Sequence, residues 1–259
     1  MTEIRLAVES RGEAGRIATV TVDNPAKLNI LYAAGIAALE RTLDALVADD
    51  ALRAVILRGA GSRAFIGGAD IRAMVALDRE SARTFITALH RACRAIRRLP
   101  APVIARIEGY ALGAGLEIAA SCDLRVAADT AKFGMPEVKV GIPSVIEAAL
   151  LPRLVGWGRA RRLLLTGETV DAGTAERWGL VERIVAPSGL DAAVEEWVAA
   201  ILAAGPRAIR LQKALIRDWE ELGLSKAIER GIDAFAAAYE TPEPAECMAK
   251  FLQRRSRAP

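Results

Sequence analysis

The chain has 259 residues, 53% of them hydrophobic and 26% charged. That is enough to bury a large α/β core as one domain or as a domain with an appendage. Its 35 basic and 32 acidic residues leave a net charge of +3, without the basic excess that a nucleic-acid or anionic-membrane binder would show. The three cysteines, Cys93, Cys122 and Cys247, are scattered and form no CxxC pair or disulfide framework, which predicts a reducing, cytoplasmic setting.

From the N-terminus, Met1-Thr2-Glu3-Ile4-Arg5 lacks the apolar run of a signal peptide. No later stretch reaches the roughly 18 apolar residues of a membrane span. Residues 4–8 and 16–22 alternate apolar and polar positions around a glycine turn and predict paired strands. Asn24-Pro25 ends the second, and residues 33–47 carry apolar side chains at helical spacing (Ile36, Leu39, Leu43, Leu46). Residues 54–57 predict a buried strand, 59–68 a loop, and Asp70 begins a turn of helix ahead of a longer one ending near Pro100. Within that longer helix lies His90, the single histidine, among arginines at amphipathic spacing over residues 84–98. It therefore reads as a surface residue, and one histidine excludes a His-cluster metal site. Residues 102–107, 113–121 and 123–127 read strand, helix, strand, the pattern of parallel βαβ units. A strand at 181–185 follows, then helices at 190–203, 206–219, 225–239 and 242–254. The change to all-helical sequence divides the chain into a core over 1–188 and a helical region over 189–259.

Two glycine turns lead to glutamates in apolar surroundings. In Gly113-Ala114-Gly115-Leu116-Glu117 a strand passes into a helix, leaving free backbone N–H groups backed by the helix dipole. Such a turn can hold a developing oxyanion, and close helix packing by small residues accounts for the same spacing equally well. In Phe133-Gly134-Met135-Pro136-Glu137, proline and glycine fix the backbone of a glutamate that could exchange a proton near neutral pH, and an exposed loop glutamate, the commoner case, accounts for the same pattern. The loop from Gly59 to Asp70 begins like a dinucleotide-binding GxGxxA, but Phe65-Ile66-Gly67-Gly68 opens no helix where that fingerprint requires one. Its second half, Gly67-Gly68-Ala69-Asp70, is another glycine turn with amides to offer.

Together these segments resemble the enoyl-CoA hydratase/isomerase (crotonase) superfamily. The likeness rests on Asn24-Pro25-Ala26-Lys27-Leu28-Asn29, on residues 63–71, on Gly109 through Glu117 to Cys122-Asp123, and on Phe133 to Glu137. It continues through Leu163 to Gly167, Trp178 to Val181, and Glu246 to Phe251. The resemblance implies an α/β fold, a crotonase-like spiral of ββα repeats with a helical C-terminal trimerisation region, and assembly as a homotrimer or hexamer. It implies that Glu117 and Glu137 are catalytic, adding water syn to a trans-2-enoyl-CoA to give a 3-hydroxyacyl-CoA. The N–H groups of Ala69 and Ala114 would form the oxyanion hole. Ala26, Lys27, Leu28, Ala69, Asp70, Ile71, Arg72 and Gly113 would bind the acyl-CoA thioester. No metal or separate cofactor is implied, since CoA is part of the substrate, and neither nucleic acid nor membrane is an expected partner. Isomerisation, or other acyl-CoA lyase or hydrolase chemistry, is the alternative. A non-catalytic RNA-binding or scaffold relative would have no use for both glutamates.

One departure from the family pattern follows Pro143, where a glycine-rich run is common and this chain has Ser144-Val145-Ile146-Glu147-Ala148-Ala149. Ser144 and Glu147 have the spacing of a helix capping box, so Glu147 is expected to cap a helix. Cys247, at a common glycine position, is a minor departure.

Overall fold

The computed structural model describes residues 2–255; Met1 and residues 256–259, the outer ends of the two regions anticipated above, lie outside it. Strands β1 (Glu3–Ser10) and β2 (Arg16–Asp23) pair antiparallel along their whole lengths. Helix α1 (Ala33–Leu46) follows, burying Ile36, Leu39, Leu43 and Leu46 on one stripe. Then come β3 (Leu52–Gly59), β4 (Ala64–Ile66), the single turn α2 (Ile71–Met74) and the long α3 (Arg79–Arg98). Asp78 starts α3 by accepting from the Ser81 N–H at 2.8 Å, a reciprocal cap. The pattern repeats as β5 (Val103–Ile107), β6 (Tyr110–Leu112) and α4 (Ala114–Ser121), and again as β7 (Leu124–Ala128) and β8 (Lys132–Gly134).

Strands β3, β5 and β7 are thus each followed by a three-residue strand, and these followers pair in a sheet of their own. With β10 (Arg183–Val185) at its far edge, the six-stranded sheet runs β1-β2-β3-β5-β7-β10 and is parallel from β2 onward. Strands β4, β6 and β8 form a second sheet with β9 (Thr169–Asp171), in the order β4-β6-β8-β9. In chain order, α5 (Leu151–Val155), α6 (Trp157–Thr166), β9 (Thr169–Asp171), α7 (Ala172–Trp178) and β10 (Arg183–Val185) complete these layers. This is the spiral of ββα repeats that the sequence resemblance implied. The small sheet was not foreseen, and one of its strands lies inside the expected loop 59–68.

Helices α1, α3 and α4 cover one face of the large sheet with a continuous apolar core. The other face is covered by α8 (Leu190–Ala203), whose Leu190, Val194 and Val198 pack with Ile17, Ile104 and Val126. Arg53 on β3 fastens that helix's C-terminal end, donating to the carbonyls of Ile201 (2.9 Å) and Ala204 (2.7 Å). Helices α9 (Pro206–Glu221), α10 (Leu224–Ala238) and α11 (Glu243–Arg255) follow, α10 packing on α9. Lys213 ties α9 to the core through Asp123 Oδ2 (2.7 Å) and the Ala101 carbonyl (2.9 Å). Among the described residues no helix is long and apolar enough to cross a membrane.

Asn29 is fully buried in the turn after β2. Its Oδ1 accepts from the Asn24 N–H at 2.8 Å, and its Nδ2 donates to the carbonyls of Ala64 (2.7 Å) and Ala60 (3.0 Å). The side chain therefore sutures the 24–29 turn to the segment that leads into Gly67 and Gly68. Asn29→Ala strands these partners away from water and is expected to destabilise the fold by about 2–3 kcal/mol, read as a lower midpoint in chemical denaturation.

Candidate active site

Every residue of α4 is buried, and the reason is packing at its first turn. A Cβ at Gly115 would lie 2.0 Å from the Ile66 carbonyl oxygen, so only glycine lets this helix meet β4 so closely. Gly113 turns the chain from β6 into α4 at φ +52°, and a Cβ there would lie 2.5 Å from Glu137 Oε1. The glycine turn thus makes the space into which the Glu137 carboxylate fits. Ala114, as the first helical residue, has no intrahelical acceptor for its N–H, and among the described residues no other carbonyl takes it.

The second glycine turn arrives from β4. Gly67 donates to the Leu28 carbonyl at 2.8 Å, and the Leu31 N–H donates to the Gly68 carbonyl at 2.9 Å. Asp70 N–H is taken by the Leu31 carbonyl, whereas the Ala69 N–H has no acceptor among the described residues. Gly68, Ala69, Gly113, Ala114, Glu117 and Glu137 all line one cavity of about 330 Å³, closed by apolar side chains from α3 and from the segment after Gly141. Among its lining residues the charged ones are Glu117, Glu137 and Lys139.

Of the other expected binding residues, Ile71 lines the cavity and is half exposed at its rim. Asp70 caps α2 by accepting from the Arg72 N–H, and Arg72 itself is exposed. Ala26, Lys27 and Leu28 do not line the cavity, although Leu28 is joined to it through Gly67. Lys27 is exposed, its ammonium 3.4 Å from the Tyr32 hydroxyl.

The two glutamates are held differently. Glu117 is only 4% exposed, and its Oε1 accepts from the Ala148 N–H at 3.2 Å. Burial pushes its pKa up to about 8, against the pull of the Ala148 N–H, and the nearby Glu137 and Glu147 carboxylates raise it further. Glu137 lies on a 3-10 turn, Pro136–Val140, rather than in an open loop, and its Oε2 accepts from the Ser144 hydroxyl at 2.9 Å.

That last bond overturns the expected capping box. Ser144 is spent on Glu137, and the 3-10 turn Ile146–Leu150 starts from Val145 with no side-chain cap. Glu147 is not a surface cap but a buried carboxylate, 4% exposed, whose Oε1 lies 2.9 Å from His90 Nδ1. His90 is correspondingly no mere surface residue: its ring is partly exposed and spends one nitrogen on that buried partner. Helical spacing could not disclose a contact between residues 57 apart.

Glu117 would release its proton near pH 4.5 in the unfolded chain but near 8 when folded. Folding therefore takes up a proton between those values, and stability falls as pH rises through that window. Glu117→Gln is expected to raise the unfolding temperature at pH 8, by up to a few kcal/mol of stability, with a gain that shrinks toward pH 5. Paired thermal melts across that range check it.

Residues 12–258 match the family model described as enoyl-CoA hydratase/isomerase. The short-chain-enoyl-CoA hydratase of Clostridium acetobutylicum is 35% identical over 242 residues, 93% of either chain. The crotonyl-CoA hydratase of Syntrophomonas wolfei is 36% identical, again over 93% of each. Among solved structures, an enoyl-CoA hydratase from Mycobacterium smegmatis superposes with a TM-score of 0.90 at 36% identity, covering 96% of both chains. The chain belongs to the enoyl-CoA hydratase/isomerase family.

Proposed function

We propose that this protein is an enoyl-CoA hydratase, adding water to the double bond of a trans-2-enoyl-CoA to give a 3-hydroxyacyl-CoA. The observation that carries this reading is the meeting of two carboxylates and two free amides on one apolar cavity. In the reaction, the thioester carbonyl oxygen accepts from the N–H groups of Ala69 and Ala114. Water oxygen bonds to C3, the C2–C3 π pair moves into the thioester as an enolate, and those amides stabilise the oxyanion. One glutamate takes a proton from the attacking water, and the other delivers one to C2 on the same face. The pair returns to its starting state by exchanging one proton. An isomerase needs a single carboxylate to carry a proton between carbons, so the presence of both Glu117 and Glu137 favours hydration. Both proton transfers are supplied by side chains, so the reading calls on no metal or redox cofactor, and CoA enters with the substrate.

The names of the relatives make crotonyl-CoA the first substrate to try. A cytoplasmic enzyme fits the three free thiols. Loss of the conjugated enoyl-thioester absorbance with the wild type, falling by on the order of 10²–10⁴ in Glu117→Gln and in Glu137→Gln, is the expected result. Undiminished turnover in either variant removes that residue from the mechanism.

A homotrimer, or a hexamer of paired trimers, fits the apolar stripe along α10. Leu224, Ile228, Ile232 and Phe235 are each 58–79% exposed and recur at helical spacing. Ile232→Glu should shift the species seen by sedimentation equilibrium toward the monomer; an unchanged mass places the subunit contact elsewhere.

A further inference from the structure

Behind Glu117 lies a second carboxylate that the reaction above does not use. Glu147 is as buried as Glu117, and its Oε2 has no hydrogen-bond partner among the described residues. A buried carboxylate with an unmatched oxygen is costly and persists only where the surroundings hold it. The backbone beside it is strained as well. Ile146 has φ +41°, a left-handed conformation that β-branched residues rarely adopt. That reversal turns the Glu147 side chain inward, to His90 on α3, and it presents the next amide, that of Ala148, to Glu117 Oε1. One strained turn therefore makes both contacts.

We propose that Glu147 and His90 are positioning residues for Glu117, their contact locking the strained turn at Ile146 from which the Ala148 amide holds the Glu117 carboxyl group. The inference rests on the hydratase reading and deepens it. The device also sets charge. Glu147 is faced by His90 and the buried Cys93 from α3 and by Glu117 from α4. From α5, Arg153 is directed to the Glu220 carbonyl instead. Glu117 is faced by Glu147 and by Glu137, while β4 and β6 carry no charged side chain. A negative Glu147 raises the pH at which Glu117 gives up its proton, and the half-exposed His90 imidazole connects this buried cluster to solvent.

The two functions separate by mutation. His90→Leu removes the anchor of the turn and should lower kcat roughly tenfold, the scale of one lost hydrogen bond to a charged group, with KM within about twofold. His90→Asn offers a side-chain N–H near the position of Nδ1 and should restore most of that loss. Glu147→Gln keeps the shape and the oxygen facing His90 but removes the charge. The limb of the kcat/KM profile near pH 8 should then move to lower pH, whichever direction of proton transfer Glu117 serves. The same displacement should be seen directly in the carboxyl ¹³C resonance of Glu117, assigned by its absence in Glu117→Gln. An unmoved Glu117 titration in Glu147→Gln, with kcat unchanged in His90→Leu and only the melting temperature altered, overturns the proposal. If the wild type hydrates no enoyl-CoA, the hydratase reading falls, and the resonance of Glu117 in Glu147→Gln still decides the charge coupling.

Discussion

The carboxyl group of Glu117 sits on a helix with no exposed residue, and most of the site's construction answers to that one placement. Solvation of such a group must be replaced by something fixed, or the group keeps its proton. Here a single backbone amide and a high pKa share the burden. The helix reaches this depth because Gly115 lets it touch the Ile66 carbonyl, and Ile66 is in place because the short sheet carries it there. Sheet, glycine and glutamate are links in one chain of contacts.

The two-sheet spiral gives this arrangement its geometry. Strands β3 and β5 each deliver their successor into the short sheet, where β4 and β6 pair in parallel, so the turns after β4 and β6 emerge side by side. The free amides of Ala69 and Ala114 come from those two neighbouring turns. A pair of unmatched amides on one cavity thus follows from the parallel pairing of two three-residue strands rather than from any local motif. The third strand of that sheet, β8, leads into the 3-10 turn that carries Glu137. Three successive repeats of the spiral each contribute one part of the cavity wall.

Much of this was legible in the sequence, for reasons that differ between residues. The long strands and helices announce themselves by apolar spacing, and Gly113, Gly115 and Glu117 by an apolar context that makes a carboxylate conspicuous. The short sheet was illegible because strands such as Ala64–Ile66 and Lys132–Gly134 are too brief to show a period. Asn29 sits in plain view within a turn, yet what it does depends on the Ala60 and Ala64 carbonyls, more than thirty residues away. The buried cations Arg53 and Lys213 have the same character. Arg53 is satisfied by carbonyls at the end of α8, and Lys213 by the Asp123 carboxylate and the Ala101 carbonyl, pairings that no window of sequence contains.

The misreading after Pro143 has the most to say about mechanism. Ser144 and Glu147 satisfy a local rule for starting a helix, and the fold sets that rule aside at both positions. A cap would have left Glu147 solvated at little cost, with Ser144 bonded to its own backbone turn. The folded chain instead buries Glu147, leaves one of its oxygens unmatched and drives Ile146 into a left-handed conformation. Nothing in the stability of the isolated segment favours that outcome. What the arrangement gains is Ser144 on Glu137 and Ala148 on Glu117, one contact for each of the two carboxyl groups of the cavity. A segment that gives up its own best local structure to hold both carboxyl groups of one cavity is one whose shape is governed by that cavity, and its strain belongs to the site.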